Sequence, residues 1–164
     1  MRVLGIDPGL NITGYGMLAP GDSGPEVVEA GVIRSDASDD LADRLCELGR
    51  EVADVIRQFS PDCMAVEDLY AHYAHPRTAI IMGHARGVIL MQAAMAGIRV
   101  HSYAATRIKK SLTGNGRASK AQMQQMIANT LGLATVPEPA DAADALAVAL
   151  CHFRAMQHGE EIRV

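Results

Sequence analysis

The sequence predicts an α/β protein, a five-stranded mixed sheet flanked by helices. Two observations carry that expectation. Apolar runs and helical patterns follow in the order βββαβαβ, with helices alone after the fifth strand. The first three strands are joined by short connections, which makes them an antiparallel meander, while the later strands alternate with helical segments. At 164 residues, the chain is read as a single domain spanning 1–164.

Val3, Leu4 and Ile6 form the first strand, interrupted by Gly5, ended by Asp7 and stopped by Pro8-Gly9. Ile12 to Leu18 is the second strand, Pro20 to Pro25 a Gly/Pro turn, and Glu26 to Ile33 the third. Leu41, Leu45, Leu48, Val52, Val55, Ile56 and Phe59 recur at helical spacing, with charged residues on the opposite face, so an amphipathic helix follows. Cys63 to Val66 is a buried strand stopping at Glu67-Asp68. Tyr70 to Pro76 is irregular, Arg77 to Ala96 a long helix closed by Gly97, and Ile98 to Tyr103 the last strand. Ala104–Leu112 and Ser119–Leu131 are helices separated by Thr113-Gly114-Asn115-Gly116, and Asp141 to about Met156 is the final helix.

Apolar residues at 49% and charged residues at 21% describe a globular protein. Cys46, Cys63 and Cys151 form neither a disulfide framework nor a paired metal motif, and no signal peptide is expected because Asp7 interrupts the only early apolar run. A cytoplasmic location is expected. Residues 79–98 are apolar enough to resemble a membrane span, but Arg86 and His84 near the middle argue against one. Ile80, Ile81, Met82, Val88, Ile89, Leu90 and Met91 surround that helix instead of following one stripe, so a second copy of the chain is expected on its outer face, as a two-fold homodimer. The six histidines have no zinc-like spacing and are read as surface or hydrogen-bonded residues.

The net charge of −4 hides a segregation. Leu69 through Pro137 contains no Asp or Glu but has Arg77, Arg86, Arg99, Arg107, Lys109, Lys110, Arg117 and Lys120. All 19 acidic residues therefore lie outside that segment. A basic surface on an acidic protein fits a polyanionic partner.

The acidic residues carry the chemistry. Asp7 ends the first strand and Glu67 the fourth. Asp141 and Asp144, at i and i+3, share one face of an alanine-rich helix thin enough to approach a sheet closely. Each has a plainer reading: Asp7 as the start of an Asp-Pro-Gly turn, and Asp141 and Asp144 as a cap and a first-turn charge. Gathered together, four carboxylates repel one another unless some are protonated or a cation lies between them. All-oxygen ligation suits Mg²⁺ or Mn²⁺, and two such ions about 3.5–4 Å apart flank a phosphate in phosphodiester hydrolysis.

Gly-Ile-Asp-Pro-Gly at 5–9, Thr13-Gly14-Tyr15-Gly16, Ala65-Val66-Glu67, Gly83-His84-Ala85-Arg86-Gly87, Tyr103-Ala104-Ala105 and Asp141-Ala-Ala-Asp144-Ala resemble the RuvC family, the crossover (Holliday) junction endodeoxyribonucleases. The resemblance runs from residue 1 to about 158 with every motif in order. It implies a ribonuclease H-like fold, a homodimer, and paired Mg²⁺-dependent nicks in a four-way DNA junction during recombination and repair. It implies two ions per site, with Asp7, Glu67, Asp141 and Asp144 as catalytic metal ligands. Lys109 and Lys120 match the lysines that contact DNA phosphate, and Tyr70 stands where the family usually has a phenylalanine thought to stack on bases. Arg77, Lys110 and Arg117 are further candidate DNA contacts. The branch-migration helicase complex of RuvA and RuvB is the implied partner. His72-Tyr73-Ala74-His75-Pro76-Arg77 departs from the family's lysine- and asparagine-containing stretch.

Rival functions weigh less. A ribosomal-RNA maturation nuclease shares the opening strand but not Asp-Ala-Ala-Asp in the last helix. An actin-like phosphotransferase needs two duplicated halves, and a non-catalytic junction binder need not keep four carboxylates.

Overall fold

The computed structural model describes residues 1–69, 76–157 and 159. Its strands are β1 (Val3–Asp7), β2 (Ile12–Gly21), β3 (Gly24–Arg34), β4 (Cys63–Glu67) and β5 (Arg99–Tyr103). Its helices are α1 (Leu41–Phe59), α2 (Pro76–Met95), α3 (Ala105–Thr113), α4 (Lys120–Thr130) and α5 (Ala140–Gln157). The sheet order is β3-β2-β1-β4-β5, antiparallel across β3-β2-β1 and parallel across β1-β4-β5. This is the expected mixed sheet.

Strand alternation sorts the side chains into two cores. Leu4, Ile6, Met17, Met64 and Val66 pack under α1 and α2, with Leu48, Val52, Ile56, Ala85, Ile89 and Ala93. Val3, Leu18, Cys63, Ala65 and Tyr103 pack on the other face, under α5, with Ile108 of α3 and Ile127 of α4. Arg154 of α5 donates to the Ser111 and Leu112 carbonyls at the end of α3, fixing that helix against α5.

Glycines let α5 lie close on the sheet. A Cβ at Gly5 would stand 2.1 Å from the Ala145 carbonyl oxygen, and one at Gly14 would stand 2.0 Å from that of Asp141. Only hydrogen fits at either place. The alanine face of α5 and these strand glycines are two halves of one close contact.

One segment differs from expectation. Pro20 to Pro25 is not a six-residue turn: β2 and β3 continue as a hairpin in which Pro20 pairs with Pro25 and Gly21 with Gly24. This ribbon runs past β1, whose pairing begins at Val3 and Leu18. A proline without an N–H is tolerated where no third strand needs that donor.

Helix α2 is long and apolar enough, by length and composition, to cross a membrane. Ala85, Ile89 and Ala93 are nevertheless buried in the core, and Arg86 bonds to Asp68 and Ser102. Its outer side leaves Ile80, Met91 and Met95 exposed at 62%, 49% and 74%.

Candidate active site

The alternation that places Val3 and Gly5 toward α5 also turns Asp7 that way, and the alternation of Cys63 and Ala65 does the same for Glu67. Strands β1 and β4 are parallel neighbours, so their carboxyl ends lie side by side. Asp7 pairs with Gly14, and the backbone of Asp141 rests on Gly14, which brings the start of α5 over the end of β1. Asp144 follows one turn along. Thr13, fully buried, fixes the turn after Asp7: its hydroxyl donates to the Gly9 carbonyl and accepts from the Gly9 N–H.

A cleft of about 240 Å³ opens at this point, lined by Asp7, Glu67, Asp144, Lys109 and Lys120, with Ala105, Ile108, Met123 and Ala147 as its apolar wall. Lys120 is the first residue of α4, whose start is set by a capping box between Ser119 and Gln122. Its Nζ donates to Asp144 Oδ2 at 3.1 Å. That bond holds the Lys120 ammonium above its ordinary pKa. Lys109 projects from α3. A larger, mainly apolar cleft of about 680 Å³ adjoins the first, sharing Asp7, Glu67 and Ala105 and bounded by Pro8, Leu69, Ala79 and Met82.

The electrostatics record the crowding. Burial first, and then the charges of Glu67, Asp144 and Asp141, push Asp7 from 3.8 up to about 7, against a smaller lowering by Lys120. Burial and then Asp144 also raise Glu67, with Lys109 opposing. Among the described residues, no three His, Cys, Asp or Glu side chains are drawn around one point closely enough to ligate a single ion as they stand. The fold brings Asp7, Glu67 and Asp144 to one cleft without closing a coordination sphere around a point. The donor set fits a hard divalent cation: every donor is oxygen, and the negative charge exceeds what the two lysines balance.

The sequence candidates divide accordingly. Asp7, Glu67, Asp144, Lys109 and Lys120 share the cleft, and Asp141 adjoins it through Gly14 and acts on Asp7 electrostatically. Lys110, Arg117 and Arg77 are exposed and line neither cleft. Tyr70 lies outside the described residues. Sequence reasoning missed the seating role of Gly14 and the clamp made by Thr13. The signal for the first was there, since Gly14 and Gly16 alternate on the strand face that α5 covers.

A five-stranded sheet of this order, with carboxylates gathered at the ends of its central strands, is the architecture of a ribonuclease H-like nuclease. The family model described as crossover junction endodeoxyribonuclease RuvC matches residues 3–152. The chain belongs to the RuvC family. It is 52% identical over 156 residues to the crossover junction endodeoxyribonuclease RuvC of Rhodopirellula baltica, covering 93% of this chain and 86% of the relative. The structure of Thermus thermophilus RuvC superposes with a TM-score of 0.92 at 31% identity, covering 100% of both chains. The T. thermophilus RuvC structure in complex with Holliday junction substrate gives 0.90 at 28% identity, again covering 100% of both chains.

Proposed function

We infer that this chain is a structure-selective endonuclease that resolves four-way DNA junctions by symmetric, metal-dependent nicks in two strands. One observation carries the reading: in a member of this family, two strand-end carboxylates and a carboxylate of α5 meet two lysines in a single cleft. Family membership supports the substrate, and the donor set supports Mg²⁺, with Mn²⁺ as a substitute.

Asp7, Glu67, Asp141 and Asp144 are the residues that would hold two ions. Bound there, the ions would supply an activated water and charge stabilisation for the leaving oxygen. The water oxygen bonds to phosphorus as the bond from phosphorus to the 3′ oxygen breaks, leaving a 3′-hydroxyl and a 5′-phosphate. Lys109 and Lys120 bind the phosphates flanking the cut, and Lys120 exchanges Asp144 for a phosphate oxygen as DNA arrives. Arg77, Lys110 and Arg117 extend the basic surface without touching the reacting atoms, and Tyr70 stacks on a junction base.

Paired nicks need two active sites related by the junction's dyad. The exposed Ile80, Met91 and Met95 of α2 support a two-fold dimer on that face. A branch-migration helicase complex (RuvA and RuvB) is the expected partner, acting in the cytoplasm. Incubation of labelled four-way junction and linear duplex with Mg²⁺ tests the whole reading, with sedimentation at micromolar concentration for the dimer. Paired cuts on strands of like polarity, confined to the junction and made by a dimer, are expected. Equal cutting of linear duplex, or concerted cutting by a monomer, would overturn it.

A further inference from the structure

Beside the catalytic cleft lies a charged cluster that the reaction itself does not use. Arg86, in the middle of α2, sends its Nη2 to two acceptors: Asp68 Oδ1 at 3.0 Å and Ser102 Oγ at 2.6 Å. Asp68 is the residue directly after Glu67, and its own N–H donates to the Tyr103 carbonyl at 2.9 Å. Ser102 precedes Tyr103 on β5, where Val66 pairs with Ser102 and Glu67 with Tyr103. One guanidinium nitrogen therefore grips the carboxyl ends of β4 and β5 together, at the position from which Glu67 enters the cleft.

The clamp is poorly explained as a device for stability. Arg86 Nε is buried with no hydrogen-bond partner among the described residues, and its ion pair is partly open to water, Asp68 being 46% exposed, so the pair itself contributes little to stability. An aliphatic residue would join α2 to the sheet without an unpaired donor. What only a fixed cation supplies here is a directed hold on Asp68. The same helix walls the neighbouring cleft one turn earlier, where Met82 and Ala79 stand with Asp68 and Leu69. Helix α2 thus meets the strand end twice, once by packing and once through Arg86.

We propose that Arg86 is a positioning residue: through Asp68 and Ser102 it fixes the end of β4, so that Glu67 is held in place to ligate the divalent cation. This rests on the metal-dependent reading of the site.

The test measures Mg²⁺ binding without DNA, as the concentration giving half of the maximal thermal stabilisation of the full chain, alongside single-turnover cleavage of a four-way junction and junction affinity in chelator. Partners that orient metal ligands are typically worth about 10–100-fold in metal affinity or activity. Arg86→Gln is expected to raise the Mg²⁺ midpoint about tenfold or more and to slow cleavage at limiting Mg²⁺. Junction affinity in chelator should stay within about twofold. Arg86→Lys should recover part of the loss, and Ser102→Ala, which leaves every charge in place, should shift the midpoint by a smaller factor. In a Glu67→Gln background, Arg86→Gln should shift the midpoint no further. A purely structural brace would lower melting temperature while leaving the midpoint and its dependence on Glu67 unmoved, and that result overturns the proposal. A loss of junction affinity in chelator as large as the loss of rate also overturns it, since Arg86 would then be a DNA contact. If Arg86→Gln does not fold, Ser102→Ala and Arg86→Lys decide by the same midpoint. Wild-type chain that cuts no junction in Mg²⁺ would instead refute the functional reading, independently of Arg86.

Discussion

Replacing Asp7 with asparagine should abolish cleavage and at the same time make the metal-free protein more stable. Asp7 has its pKa raised from 3.8 to about 7 by burial and by Glu67, Asp144 and Asp141. An acid raised in the folded state binds protons more readily there than in the unfolded chain. Below about pH 4 Asp7 is neutral in both states and costs nothing. Stability is lost as pH rises between about 4 and 7, and above pH 7 the full cost is carried. At 1.36 kcal/mol per pH unit, that cost is bounded at about 4 kcal/mol. Asparagine keeps a buried polar amide, which leaves an expected gain of about 1–2 kcal/mol. For a chain of this length, that is a rise in melting temperature of roughly 2–8 °C. The assay is thermal unfolding of wild type and Asp7→Asn in chelator at pH 8 and at pH 4. The variant should melt higher at pH 8, and the gap should close at pH 4. Added Mg²⁺ should stabilise wild type more than the variant. An Asp7→Asn protein that is less stable than wild type at pH 8 in chelator would refute the claim that burial and the neighbouring carboxylates penalise the Asp7 charge.

Three other outcomes are expected. Lys109→Ala and Lys120→Ala should each make the dependence of junction affinity on salt concentration shallower by about one unit of log–log slope; unchanged slopes would mean that neither lysine meets phosphate. Gly14→Ala should destabilise the fold by about 3 kcal/mol and disable cleavage, because its Cβ would fall 2.0 Å from the Asp141 carbonyl oxygen, measured by denaturant unfolding and junction cleavage. His152, 3% exposed, has its pKa lowered from 6.5 to about 4 by burial and then by His101. Its contribution is therefore complete above pH 6.5 and lost as pH falls toward 4, so the stability advantage of wild type over His152→Gln should shrink by about 3 kcal/mol across that window.

Most of the fold is legible in the sequence because hydrophobic period and turn chemistry agree nearly everywhere. The spacing of Leu41 to Phe59 specifies α1 to the residue. The Pro20–Pro25 segment misleads because its prolines mark a turn by composition, whereas the sheet has no third strand there to forbid them. The cleft is legible at its charged residues: Asp7 and Glu67 end buried strands, and Asp144 stands one turn into an alanine helix. What joins them is less visible. The roles of Gly14, Thr13 and Arg86 depend on which helix passes over which strand, and local pattern carries no such information. His152 illustrates the same limit. Its ring lies between Tyr103 Oη at 2.6 Å and Cys63 Sγ at 3.3 Å, partners 49 and 89 residues away in the chain.

Anomalous scattering from crystals of the protein soaked in Mn²⁺ tests the central claim most directly, because it locates the cation without depending on activity. The account predicts density within ligating distance of Asp7 and Glu67, with Asp141 or Asp144 completing the set, and loss of that density in Asp7→Asn. Manganese bound elsewhere, in a protein that still cuts junctions when Mn²⁺ is supplied, would contradict it.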